Sequence, residues 1–120
     1  VCVRRNSGLQ RLCIASHCSA LAEMLGVGEV VLDEDIILFD GVLAPGYGQM
    51  NPATADAIVL TARCEGLFLD PPYTGKTMAG LIAMAGNRTL AANSNVLFVH
   101  TGGTPGIFAY GPQLQHWVEP

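Results

Sequence analysis

Apolar residues recur along this chain at two kinds of spacing, and the change from one to the other divides it into segments. Between residues 9 and 25, Leu9, Leu12, Cys13, Leu21, Met24 and Leu25 recur mostly three and four apart, and Gly26 follows. That pattern predicts an amphipathic helix with a glycine stop. Residues 53–64 carry Ala57, Ile58, Leu60 and Thr61 at helical spacing, with Asn51 or Thr54 as cap and Gly66 as terminator, so a second helix is expected. Residues 74–85 put Met78, Leu81, Ile82 and Ala85 on one face and predict a third. The remaining apolar runs are short and unbroken: 36–39, entered through Asp33, Glu34 and Asp35; 67–69, ahead of Asp70, Pro71 and Pro72; and 95–99. Such runs predict buried β-strands. Residues 1–3 read as the end of another strand, closed by the polar cluster at 4–8, and residues 105–110 as a final helix.

Strands alternating with helices predict parallel βαβ units with right-handed crossovers, hence an α/β fold, a three-layer βαβ domain with a mainly parallel sheet. Residues 40–52 hold three glycines and two prolines around Tyr47 and are expected to form a long loop. At 120 residues the chain suits one domain. It opens at Val1 without a methionine, on what reads as a strand, so a piece of a longer polypeptide is expected.

Composition narrows the function classes. Half the residues are apolar, 13% are charged and the net charge is -4, which predicts a packed chain with no basic patch for nucleic acid. No apolar run reaches the roughly 18 residues that span a bilayer and no signal-peptide pattern is present, so a cytoplasmic location with no membrane contact is expected. Cys2, Cys13, Cys18 and Cys64 have neither C-x-x-C pairing nor zinc-site spacing and read as buried free thiols; no metal is expected.

The strongest local signal is the run Val96-Leu-Phe-Val-His-Thr-Gly-Gly-Thr-Pro-Gly106, where a strand passes through a glycine turn into a helix opening at proline. Such turns lie at the carboxyl ends of strands in open α/β sheets and let backbone approach a planar or anionic group. A ligand loop and a tight turn with no ligand are about equally compatible with the spacing. The G-G-x-x-G order departs from the dinucleotide G-x-G-x-x-G. Gly75-Lys76-Thr77 imitates the end of a P-loop, but Asp70 stands where the leading glycine belongs and Pro71 and Pro72 remove backbone donors, so nucleoside triphosphate binding is excluded. Lys76 is the sole lysine and the sole candidate for a Schiff base; an exposed or ion-paired lysine is the expectation. His17 reads as a surface residue, and His100 as a structural histidine beside the glycine turn.

Three blocks together carry a resemblance: Phe98-Val-His-Thr-Gly-Gly-Thr-Pro-Gly-Ile-Phe-Ala-Tyr110, Glu65-Gly-Leu-Phe-Leu-Asp-Pro-Pro-Tyr-Thr-Gly-Lys-Thr-Met-Ala-Gly-Leu-Ile82, and Gly46-Tyr-Gly48. In order and spacing they resemble the C-terminal part of the D-cysteine desulfhydrase and 1-aminocyclopropane-1-carboxylate (ACC) deaminase family, enzymes with a tryptophan-synthase β-type fold and pyridoxal 5'-phosphate (PLP) as cofactor. The resemblance runs from Val1 to about Tyr110. It implies that residues 1–120 form the C-terminal part of the large domain, with the tail 113–120 unassigned and Pro72 in place of the family's usual aliphatic residue. It implies Tyr47 and Tyr73 as active-site tyrosines, and Thr74, Thr101, Gly102 and Gly103 as cofactor-binding positions. In ACC deaminases the positions of Thr74 and Thr101 typically hold glutamate and leucine, so both residues here are of the desulfhydrase type. A threonine hydroxyl at the ring nitrogen implies a neutral or weakly hydrogen-bonded pyridine. The implied reaction is β-elimination of D-cysteine to pyruvate, ammonia and hydrogen sulfide, on a small amino-acid substrate, in an intact parent expected to be a homodimer. ACC deamination, or a non-catalytic binding module that keeps the fold, are the alternatives. The family's Schiff-base lysine and phosphate loop lie upstream of the segment that resembles Val1, and Lys76 matches the lysine of the Tyr-Thr-Gly-Lys turn, which is not the Schiff-base residue.

Overall fold

The computed structural model describes residues 1–28 and 30–118. Four α-helices make up its regular structure: α1 (Ser7–Leu25), α2 (Pro52–Glu65), α3 (Lys76–Gly86) and α4 (Gly111–Val118). A 3-10 turn covers Asp33–Asp35, a π-helical turn Pro71–Gly75 leads into α3, and a 3-10 segment Thr104–Tyr110 leads into α4.

Local sequence accounts for the helix ends. At α1 the Asn6 side chain accepts from Leu9 N at 3.0 Å, and Gly26 closes the helix in the left-handed region. At α2 Asn51 Oδ1 accepts from Thr54 N and Oγ1 at 2.8 and 2.7 Å, Pro52 occupies the first turn, and Gly66 terminates it at φ 67°. These are the caps expected of Asn before a helix and Gly after it. The third helix starts two residues later than its periodicity predicts. Asp70 draws residues 71–75 into a wider turn, its carboxylate accepting from Tyr73 N and Thr74 N.

The core is small and lies between α2, α3 and α4. Ala55, Ile58, Leu69 and Leu114 are buried, with Met50, Phe98, Ile107 and Tyr110 against them; Val42, Ala57 and Ala79 form a second group, and Met78 touches both. Close approach explains two glycines: a Cβ on Gly75 would stand 2.8 Å from Ile58 Cγ1, and one on Gly80 would stand 2.6 Å from Val1 Cγ2. By contrast α1 stands apart, with Ala22 its only buried residue. Arg11 ties it to the chain by donating to the carbonyls of Asp33 and Ile36 at 2.6 and 2.7 Å, beside an exposed ion pair with Asp33. The radius of gyration, 16.1 Å, exceeds the about 13.6 Å of a compact chain this long.

The expected α/β fold with a mainly parallel sheet is not what the structure contains. Among the described residues there is no β-strand: 36–39, 67–70 and 94–103 run without helix or ladder, and Cys2 N donating to Phe39 O at 2.7 Å is a single backbone bond between extended segments. Apolar, β-branched runs favour extended backbone, but a strand exists only where a neighbour pairs with it. Val96, Leu97 and Val99 are accordingly 50%, 86% and 64% exposed, and the expected burial of this run is also corrected.

Three smaller expectations change. Among the four free thiols only Cys2 is buried, and Cys64 is exposed. The helix expected over 105–110 is a 3-10 segment. The unassigned tail forms most of α4, with Leu114 in the core, and its last two residues, 119 and 120, lie outside the described residues. No described helix is long and apolar enough to cross a membrane.

Candidate functional site

Two turns meet at Asp70. The first is the π-helical turn that Asp70 opens. Its carboxylate accepts from Tyr73 N through Oδ2 at 2.8 Å, and from Thr74 N and Thr74 Oγ1 through Oδ1 at 3.0 and 2.6 Å. Thr74 Oγ1 in turn accepts from Asp70 N at 2.9 Å. Both side chains are buried, at 1% and 2% exposure, and the reciprocal bonding leaves the Thr74 hydroxyl one unused lone pair and no free hydrogen. The second turn is the glycine run. Gly102 and Gly103 sit at φ 100° and 86°, a region that non-glycine residues enter only with strain. A Cβ on Gly103 would lie 2.8 Å from Asp70 Cγ and Oδ1, whereas one on Gly102 would meet nothing within 4 Å. The backbone is therefore packed on the aspartate at Gly103 and open at Gly102. His100 pins this turn: its Nδ1 accepts from Gly102 N at 3.2 Å, which leaves Nε2–H to donate to Phe68 O, also at 3.2 Å. Thr101 is exposed on the same turn.

The tyrosines come together from distant parts of the chain. Tyr47, in the loop ahead of α2, and Tyr73, in the turn ahead of α3, share a hydrogen bond between their hydroxyls. Their rings meet edge to face, with centroids 5.6 Å apart and planes at 64°. The guanidinium of Arg4 lies 5.5 Å from the Tyr47 ring centre, a cation–π distance. The shared hydrogen bond, and after it partial desolvation, hold the Tyr47 phenol above the ordinary tyrosine range.

A loop without secondary structure must satisfy its backbone carbonyls by other means. Asn51 Nδ2 donates to Val42 O and Ala44 O at 3.2 and 2.6 Å, Lys76 Nζ to Leu43 O and Gly46 O at 3.0 and 2.7 Å, and Tyr110 Oη to Gly48 O at 2.6 Å. Lys76 is fully buried, contrary to the expectation of an exposed or ion-paired side chain. Desolvation pushes its ammonium below the ordinary lysine range.

Of the six residues singled out from the sequence, the structure brings Tyr47 onto Tyr73, Tyr73 and Thr74 onto one aspartate, and Gly103 onto that same aspartate. Thr101 and Gly102 lie on the exposed part of the turn. Sequence reasoning missed Asp70 as the link between the turns, although an Asp followed by Pro-Pro at a helix entry is a capping signal. It also missed Asn51 as a tether of the loop, having read it as a cap alone.

No family model matches the chain. D-cysteine desulfhydrases from Yersinia pestis (strain Pestoides F) and Yersinia pseudotuberculosis (serotype O:1b) are each 43% identical to it over 114 residues, covering 95% of this chain and 34% of theirs. A crystal structure of an ACC deaminase homologue superposes with a TM-score of 0.82 at 32% identity, over 97% of this chain and 34% of that one. The chain thus spans about a third of the length of the relatives it matches. In sequence and in backbone course alike, the chain is similar to about a third of a D-cysteine desulfhydrase and of an ACC deaminase homologue.

Proposed function

We propose that the chain supplies the tyrosine pair and the ring-edge turn of a PLP-dependent lyase that eliminates the β-thiol of D-cysteine to give pyruvate, ammonia and hydrogen sulfide. The observation that carries this reading is the hydroxyl-to-hydroxyl contact of Tyr47 and Tyr73 beside the buried Thr74, in a chain 43% identical to D-cysteine desulfhydrases.

The residues present fit one edge of a planar cofactor. The open side of Gly102 leaves room for a flat ring, and the hydroxyl of Thr74 retains a lone pair. They do not supply a covalent anchor, because the sole lysine is buried with its Nζ donating to two carbonyls. When bound, PLP supplies the electron sink for charge at the substrate α-carbon. Thr74 would meet the ring nitrogen as an acceptor, since Asp70 already holds its only hydrogen. The tyrosine pair can hold the proton of its shared hydrogen bond on either oxygen and pass it at the substrate, and that hydrogen bond holds the Tyr47 phenol above the ordinary tyrosine range.

A chimera tests this: the chain replaces the corresponding third of the Yersinia pestis desulfhydrase, and sulfide release from D-cysteine is followed. Tyr47→Phe and Tyr73→Phe in the PLP-loaded chimera are each expected to lower kcat by about 100-fold or more, the range of general acid–base catalysis. Full activity of both variants would remove the pair from the reaction.

A further inference from the structure

Lys76 has no part in the chemistry proposed above, yet it is the most thoroughly buried charged side chain described. It shows 0% exposure and no carboxylate beside it, and its bonds from Nζ go to the carbonyls of Leu43 and Gly46. A buried ammonium is costly unless it satisfies polar groups of the chain; here Nζ is the donor to Leu43 O and the shorter of two donors to Gly46 O, which also accepts from Gln49 N at 3.3 Å. Gly46 immediately precedes Tyr47, and the next carbonyl but one, Gly48 O, is held from the other side by Tyr110 Oη at 2.6 Å. The peptide that enters Tyr47 and the peptide that leaves Gly48 are therefore held by side chains from α3 and from the segment before α4. Tyr47 itself is 45% exposed, its ring touched by Tyr73 and Arg4, so its placement depends on how its backbone is held.

We infer that Lys76 is a positioning residue, a clamp on the 43–46 backbone that aims the Tyr47 hydroxyl at Tyr73. Its bearing on catalysis rests on the role proposed for the tyrosine pair; the clamp does not. A Lys76→Met change keeps the stem and removes the donors, so the loop loses two anchors while α3 keeps its apolar contacts. Tyr47 then separates from Tyr73 and titrates as an ordinary phenol.

The test uses the chain labelled with ¹³Cζ-tyrosine, so that each of its three tyrosines is titrated separately by NMR. In the parent chain Tyr47 is expected to titrate above the ordinary value of about 10. In Lys76→Met it is expected to fall to that value, as it does in Tyr73→Phe, while far-ultraviolet circular dichroism is unchanged. A folded Lys76→Met chain whose Tyr47 titrates as in the parent overturns the inference. Should the variant fail to fold, reductive methylation of the parent decides. The α-amine of Val1 is expected to react while Lys76 stays unmodified by mass spectrometry, and Lys76 labelling at the rate of a free amine overturns the clamp. In the chimera, Lys76→Met is expected to lower kcat at least about tenfold with KM changed much less. If the chimera proves inactive with D-cysteine while the tyrosine titration behaves as stated, the functional reading fails and the clamp stands.

Discussion

Replacing Asp70 with alanine probes the junction on which both turns depend. The carboxylate accepts three hydrogen bonds, from Tyr73 N, Thr74 N and Thr74 Oγ1. Loss of a helix-entry cap costs about 1 to 2 kcal/mol, and a buried hydroxyl stripped of its acceptor adds about 1 to 3 kcal/mol. The terms overlap at Thr74, so the expected destabilisation of Asp70→Ala is about 2 to 4 kcal/mol. With a urea m-value of about 2 kcal/mol/M that moves the midpoint down by about 1 to 2 M. Asp70→Asn is the control: its Oδ1 still serves Thr74 and only the bond from Tyr73 N is lost, a cost of about 0.5 to 1.5 kcal/mol. Urea melts followed by circular dichroism measure both. An alanine variant within about 0.5 kcal/mol of the parent, or an asparagine variant as unstable as the alanine one, would refute the account of Asp70 as the link between the turns.

Three further outcomes are expected. Gly103→Ala and Gly26→Ala both place a Cβ at positive φ, but only the former meets a neighbour, Asp70 at 2.8 Å, so Gly103→Ala is expected to be worse by at least about 1 kcal/mol in the same melts. Because Tyr47's folded pKa is raised by Tyr73, its contribution to stability is present below the unfolded value of about 10 and lost as pH rises through the folded value; Tyr73→Phe should flatten that alkaline decline, and an unchanged pH–stability curve would count against the pair. In the chimera, Thr74→Glu with Thr101→Leu is expected to cut kcat/KM for D-cysteine at least about tenfold, roughly 1.4 kcal/mol of transition-state stabilisation, and an unchanged value would detach these threonines from the cofactor.

Much of the helical structure was legible in the sequence because its signals are local. Asn51, Gly26 and Gly66 mark helix ends through bonds and dihedrals that involve only near neighbours, and Asn6, which reads in the sequence only as part of a polar turn, caps α1 in the same way. The extended runs were legible as extended and misread as a sheet. Residues 36–39 and 95–99 have strand composition, but composition is blind to whether a partner lies alongside. The same limit hid Lys76: a lone lysine after a turn reads as solvated, and its burial arises from a loop some thirty residues earlier that needs donors. The motifs around Tyr47, Tyr73 and the glycine turn were found by resemblance. The link between the Tyr73 turn and the glycine turn, Asp70, was quoted within a motif and passed over because its role is to bridge two segments distant in the chain.

The most direct test of the functional claim is the turnover of D-cysteine by the PLP-loaded chimera. Pyruvate and sulfide should form in equal amounts, with kcat/KM within about tenfold of the parent Yersinia enzyme. A folded chimera that binds PLP and releases neither product from D-cysteine would contradict the assignment.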